Sequence, residues 1–181
     1  MKKVEPIRDK DKIKEMKAVL KRQNFRDYIL FELGINSGLR ISDLLQLKVK
    51  DIKNKDKVEL KEQKTDKMNR FPLNPRVKRL IDDYITNLDP EEYLFQSRKG
   101  DNEPISRVQA YRVLRKAADK VGLEKVGTHT LRKTFGYHQY KKFKDVAMLQ
   151  RIFNHSSPSV TLDYIGINQD AIDNSLEDFS L

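Results

Sequence analysis

Arg40 stands in the segment Gly38-Leu39-Arg40-Ile41-Ser42-Asp43, and His129 and Arg132 share Thr128-His129-Thr130-Leu131-Arg132. His155 opens His155-Ser156-Ser157, and Tyr164 follows in Asp163-Tyr164-Ile165-Gly166, nine positions after His155. Lys64 lies between the two arginines in Gln63-Lys64-Thr65. These residue types supply what phosphodiester cleavage by a side-chain hydroxyl demands: a nucleophile, positive charge on the phosphoryl oxygens, and a proton donor for the leaving alkoxide. Two guanidiniums grip non-bridging oxygens through bidentate, permanently charged hydrogen bonds that the point charge of lysine does not reproduce. A phenol ionises near pH ~10 unless cations favour the phenolate. Taken singly, each residue has an ordinary alternative: a solvated arginine, a loop lysine in water, or a core tyrosine beside Leu162 and Ile165.

Three histidines also raise the question of zinc. His138 lies nine residues after His129 and seventeen before His155, spacings that fit no common ligand pattern, and no cysteine is present to assist. No metal site is expected, and His138 is read as a packing or capping residue.

In its order of motifs, arginine, His-x-x-Arg, histidine and tyrosine, the chain resembles the tyrosine site-specific recombinases, or phage integrases, over roughly residues 5–168. The resemblance implies that Arg40 and Arg132 hold the scissile phosphate and that Tyr164 is the nucleophile. His129 then does acid/base or positioning work, and His155 gives hydrogen-bonding support. Lys64, on a β-turn, becomes the general acid for the leaving 5′-oxygen, with Lys67 as its rival. Asp43 replaces the glutamate usual three positions after the first arginine and is expected to orient Arg40 or a neighbouring base. Asn154 replaces the usual glycine before the second histidine, a change tolerable because asparagine also visits left-handed conformations.

The same resemblance implies a mostly α fold with a small antiparallel β-sheet (α+β), the catalytic-domain fold of tyrosine recombinases. It implies cleavage and rejoining of double-stranded DNA through a 3′-phosphotyrosine that conserves the phosphodiester's energy, with no cofactor, no metal and no ATP. A homotetramer on paired DNA sites follows, from a chain monomeric when free. Two other readings stand beside it. A DNA-binding protein of the same fold that no longer cuts is opposed by the intact residue set, and a type IB topoisomerase is disfavoured by the His155-Ser156-Ser157 segment.

Charge points the same way: Lys plus Arg number 37 against 27 Asp plus Glu, a net +10 that suits a polyanionic partner without proving one. The absence of cysteine rules out disulfides and fits a reducing compartment. The N-terminus lacks an apolar signal region, and no run approaches the ~18 apolar residues of a membrane span, so a cytoplasmic location is expected.

The elements that must position these residues are read from periodicity. Ile13, Met16, Val19 and Leu20 predict a helix over 10–21, and a second begins after Asn24 and ends at Gly38, leaving Arg40 near a helix boundary. Alternation at Val58 and Leu60 and at Phe71 and Leu73 predicts a hairpin of strands 57–61 and 69–73 around Lys64. Pro75 opens a helix with a stripe of Val77, Leu80, Ile81, Tyr84 and Ile85, and Ser106 caps another that carries Val108, Tyr111, Val113, Leu114, Ala117, Ala118 and Val121 and closes at Gly122. Three shorter helices follow, about 130–142, about 145–153, and one containing Tyr164.

With no internal repeat and no long linker, residues 1–181 are expected to form one catalytic domain, with a core at about 5–168. The helical core-binding domain that usually precedes such a domain is expected to be absent, since only about 20 residues precede the first long apolar helix. A catalytic fragment and a natural short recombinase both fit. Residues 169–181 carry Ala171, Ile172, Leu176 and Phe179 among Asp170, Asp173, Glu177 and Asp178, which predicts an acidic amphipathic segment that docks on a neighbouring protomer or folds back on its own.

Overall fold

One helix is buried on nearly every side. This is α2 (Phe25–Ser37), whose Tyr28, Ile29, Leu30, Phe31 and Leu33 are buried along with the charged Asp27 and Glu32. So large an apolar surface must be covered all round, and α2 packs against its neighbours α1 (Lys10–Gln23), α5 (Pro75–Ile85), α6 (Arg107–Lys120) and α7 (Thr130–Phe143). The computed structural model describes residues 4–64 and 66–167, so the acidic segment expected at 169–181 lies outside the described residues. Asn24 caps α2 by accepting the Arg26 N–H, and Gly38 ends it in the left-handed region at φ 69°.

After Gly38 come two short helices, α3 (Ile41–Leu45) and α4 (Val49–Ile52), where the sequence offered only a short apolar run. The hairpin pairs β1 (Lys57–Lys61) with β2 (Met68–Pro72) antiparallel, Val58 opposite Phe71, one residue earlier in the second strand than the alternation suggested. Two isolated bridges, Lys48 to Tyr93 and Gln96 to Pro104, tie down the connection between α5 and α6. In α6 the buried face is Ala110, Leu114, Ala117 and Ala118, whereas Val108 and Tyr111 face solvent, so the apolar stripe is narrower than periodicity implied.

A second, smaller core joins α7 to α8 (Val146–Phe153) and α9 (Pro158–Ile165) through Leu149, Phe153 and Ile165, with Phe135, Leu162 and Tyr164 against it. Two glycines set how closely these elements approach. A Cβ at Gly34 would meet Leu131 at 2.5 Å, and one at Gly136 would meet both Phe153 and Ile165 at 2.7 Å. Helix α7 therefore belongs to both cores, and its first turn, buried yet polar, lies where they join. Mostly helical with one two-stranded antiparallel sheet, the fold is the expected one.

Candidate active site

Arg40 is the N-cap residue of α3 and places its guanidinium at the turn end of the hairpin, beside Glu62. Its Nη1 donates to Glu62 Oε2 at 2.6 Å, while Asp43 Oδ2 is 3.9 Å away. Glu62 is buried and its other oxygen accepts from Asn69 Nδ2 at 2.9 Å. The close partner of the arginine is thus Glu62, and Asp43 directs its hydrogen bond elsewhere, with Oδ1 accepting the Gln63 backbone N–H at 3.0 Å. Asp43 holds the start of the Lys64 turn more directly than it holds Arg40. Burial pushes the Asp43 carboxyl up, helped by the Glu62 charge and opposed by the Gln63 N–H and by Arg40 and Arg132.

Arg132 is almost wholly enclosed, at 3% exposure. Nη1 donates to the Gly38 carbonyl at 2.6 Å and Nη2 to the Phe153 carbonyl at 2.8 Å, and the guanidinium lies over the Phe153 ring at 4.3 Å. Those carbonyls belong to the C-terminal ends of α2 and α8, where helix dipoles place partial negative charge. Backbone dipoles and a ring face therefore hold this cation, and burial lowers its affinity for the proton without making it neutral at any ordinary pH.

Tyr164 sits in α9 with its hydroxyl 3.2 Å from His129 Nδ1. The His155 ring meets the Tyr164 ring edge-on at 5.1 Å, and Phe153 closes another side at 5.5 Å. Burial pushes the phenol up, while Arg132 and Arg40 pull it down, Arg132 by hydrogen bonding as well as by charge. Both imidazoles are held below their ordinary range. For His129 the causes are burial and then Lys133, Arg132, Arg40 and Lys64, and for His155 they are burial and the two arginines. His155 Nδ1 shares a hydrogen bond with Thr161 Oγ1 at 3.0 Å, which fixes the ring. His138 ties α7 to the segment before α1: its Nε2 donates to the Ile7 carbonyl at 2.9 Å, and it takes no part in this cluster.

The structure thus brings Arg40, His129, Arg132, His155 and Tyr164 together, and it places Lys64 exposed on the hairpin turn, within range to act on His129 by charge. Lys67 instead donates to Asn154 Oδ1 at 3.1 Å. Asn154 has the left-handed backbone expected of it, φ 53° and ψ 47°, as the C-cap of α8. Among the described residues no group of three His, Asp or Glu side chains gathers as a metal site, and no helix is long and apolar enough to cross a membrane.

Glu62 and Lys133 were not singled out by the sequence. The signal for Glu62 was the period of the strand: Val58, Leu60 and Glu62 fall on one face, so a charged residue at an inward position implied a buried partner. Lys133 follows His129 by one helical turn and shares its face.

Residues 8–170 match the model of the Phage integrase family. The chain is 54% identical over 167 residues to the "Probable integrase/recombinase YoeC" of Bacillus subtilis (strain 168), spanning 92% of each chain. It is 31% identical over 151 residues to a tyrosine recombinase of Pseudothermotoga lettingae, covering 80% of this chain and 51% of that one. The chain spans about half the length of this second relative and nearly all of the first. In fold it superimposes on the XerH site-specific recombinase bound to palindromic difH substrate with a TM-score of 0.75, at 19% identity, over 94% of this chain and 51% of that one. With the family model matched along most of its length, the chain belongs to the phage integrase family.

Proposed function

We propose that this chain is the catalytic domain of a site-specific DNA recombinase that cuts and rejoins duplex DNA through Tyr164. One observation carries the reading: the Tyr164 hydroxyl is 3.2 Å from His129 Nδ1, with Arg132 and Arg40 both favouring its phenolate against the burial that raises it. The remaining residues fall into roles around a phosphate seated between the two arginines. Tyr164 oxygen attacks phosphorus and its proton passes to His129. The bond to the 5′-oxygen breaks, and that oxygen takes a proton from Lys64. The arginines and His155 hold the charge that develops on the non-bridging oxygens. Lys64 is favoured over Lys67 because Lys67 is engaged with Asn154 at the end of α8.

The 3′-phosphotyrosine retains the energy of the broken phosphodiester, so a 5′-hydroxyl reverses the attack without ATP. Cations of the side chains occupy the place that magnesium takes in two-metal nucleases, and the reaction proceeds without a divalent ion. Each chain offers one nucleophile, and exchange between two duplexes breaks four strands, so four copies act on paired sites while the free chain is a monomer. The net charge of +10 supports a duplex partner whose binding weakens steeply with salt. This reading places the chain in the cytoplasm, within reach of DNA.

Its test is covalent trapping. The protein is incubated with a pool of random-sequence nicked duplexes, in which a cut releases a short 5′-hydroxyl strand that diffuses away. A protein–DNA adduct that survives denaturation is expected from the native chain, with EDTA present, and none from Tyr164→Phe. An adduct from Tyr164→Phe would move the nucleophile elsewhere, and a reaction that EDTA stops and magnesium restores would contradict the metal-free mechanism.

A further inference from the structure

Lys133 has no place in the chemistry so far, yet it is buried to 7% exposure, an unfavourable position for a lysine. It lies in the first turn of α7, where the helix dipole adds to the cost of burying a cation. It lies one turn after His129 in α7, and its Nζ stands 5.0 Å from the centre of the Tyr164 ring. Helix α7 therefore turns three groups toward one phenol: His129 at the hydroxyl, Arg132 beside it, and Lys133 at the ring.

We propose that Lys133 is a positioning residue for strand cleavage, a third cation that holds the Tyr164 ring and readies the Tyr164–His129 pair for proton transfer. The inference rests on the reading of Tyr164 as nucleophile. A cation at a tyrosine ring is attracted by its π-electrons, and the attraction grows when the phenol becomes phenolate. The proton given up must be accepted, and His129 can accept it at Nδ1 only while its imidazole is neutral. Lys133 serves both ends. After burial it is the first of the charges that hold His129 below its ordinary range, ahead of Arg132, Arg40 and Lys64.

Among the described residues, the ionisable groups around Tyr164 are His129, Arg132 and Lys133 from α7, Arg40 from the start of α3, and His155 from the segment after α8. Glu62 and Asp43 lie behind the arginines and temper them. Arg40 has a carboxylate partner at 2.6 Å, and Arg132 is anchored on two carbonyls, so both are committed to fixed sites at the phosphate. Lys133 lies against the nucleophile's own ring, 5.0 Å from its centre, while its charge bears on the acceptor, His129.

The experiment compares the native chain with Lys133→Met, Lys133→Gln and Lys133→Arg. Tyrosine labelled with 13C at Cζ, and histidine labelled in the ring, report the titration of Tyr164 and His129 in the free protein, with Tyr164→Phe assigning the tyrosine signal. In the uncharged variants both titrations are expected to move up by about one pH unit, the size expected for losing one nearby charge. Adduct formation at neutral pH should fall about tenfold, and the acid limb of its pH profile should move up with His129. Lys133→Arg should restore the titrations and most of the rate.

Titrations in a folded Met or Gln variant that overlay the native ones would overturn the proposal. So would an Arg variant that behaves like Met, since that makes shape and not charge the requirement. If one uncharged variant fails to fold, the other supplies the test. Failure of the recombinase reading looks different: the native chain forms no adduct on nicked duplex, whatever the titrations show.

Discussion

Two arginines act on the same phenol, one half-buried and one buried, and they are held by opposite means. Arg40 is fixed by a carboxylate, Glu62, which neutralises it, while Arg132 is fixed by two backbone carbonyls and a ring face, which do not. A buried charge must be compensated, but an ion pair cancels the field that a phosphate would feel and helix-end dipoles leave most of it in place. Arg132 is therefore the site's stronger source of uncancelled positive charge. Arg40 gains a defined position while its field is weakened, and the phosphate must compete with Glu62 for it.

The contrast breaks hardest at Arg132. In Arg132→Lys one ammonium cannot reach both Gly38 and Phe153 carbonyls, so adduct formation should fall by about a thousandfold, in the range seen when one preorganised charge-stabilising group is lost. Arg132→Ala should in addition cost about 3 kcal/mol of stability, since two buried carbonyls lose a charged donor. Denaturant melts alongside trapping assays separate the two effects, and an Arg132→Ala chain as stable as the native one would show that the carbonyl anchors matter little.

Glu62→Gln comes next. The amide can still accept from Arg40 but no longer neutralises it, so the guanidinium should bind anions more strongly while being less well placed. Adduct formation at saturating DNA should fall about tenfold, the cost of a lost orienting partner, and DNA affinity at moderate salt should rise. A fall in both would mean that the carboxylate serves only to hold the fold.

The smallest effect belongs to Asp43. Its folded-state pKa is raised, so the folded chain holds this proton more tightly than the unfolded one. The stability it contributes is full at low pH and lost as pH rises from the ordinary carboxylate range through the raised value. Asp43→Asn keeps an oxygen for the Gln63 N–H and removes the ionisation, and the atom replaced is Oδ2, which has no hydrogen-bond partner and lies 3.9 Å from Arg40 Nη1. Relative to the native chain, the Asp43→Asn variant should gain stability as pH climbs from the ordinary carboxylate range through the raised Asp43 value and level off above it, with cleavage changed less than about tenfold. A stability difference that does not vary with pH would show that Asp43 is not the group titrating.

Much of this was legible along the chain. The caps and stops of the long helices, Asn24, Gly38, Pro75 and Ser106, act locally through one side chain or one dihedral angle, and they lie where the sequence put them. So does the left-handed Asn154. The candidate residues were found because motif order survives in one dimension. Helices α3 and α4 were not seen, being too short to show a period, and Val108 and Tyr111 were assigned to a buried stripe that stops short of them, because neighbours and not periodicity decide which turns of a helix are covered.

The sequence by itself determined the residue types, their order and the local signals that start and stop each helix, because those are properties of a residue and its next few neighbours. Only the tertiary structure decided who holds whom. Glu62 is the close partner of Arg40, Asp43 takes the turn of Lys64, two helix ends converge on Arg132, and Lys133 comes to rest against Tyr164. Each of these joins residues about 20 or more positions apart, and a buried charge selects its partner by distance and desolvation in the folded chain, quantities that no spacing along the sequence contains.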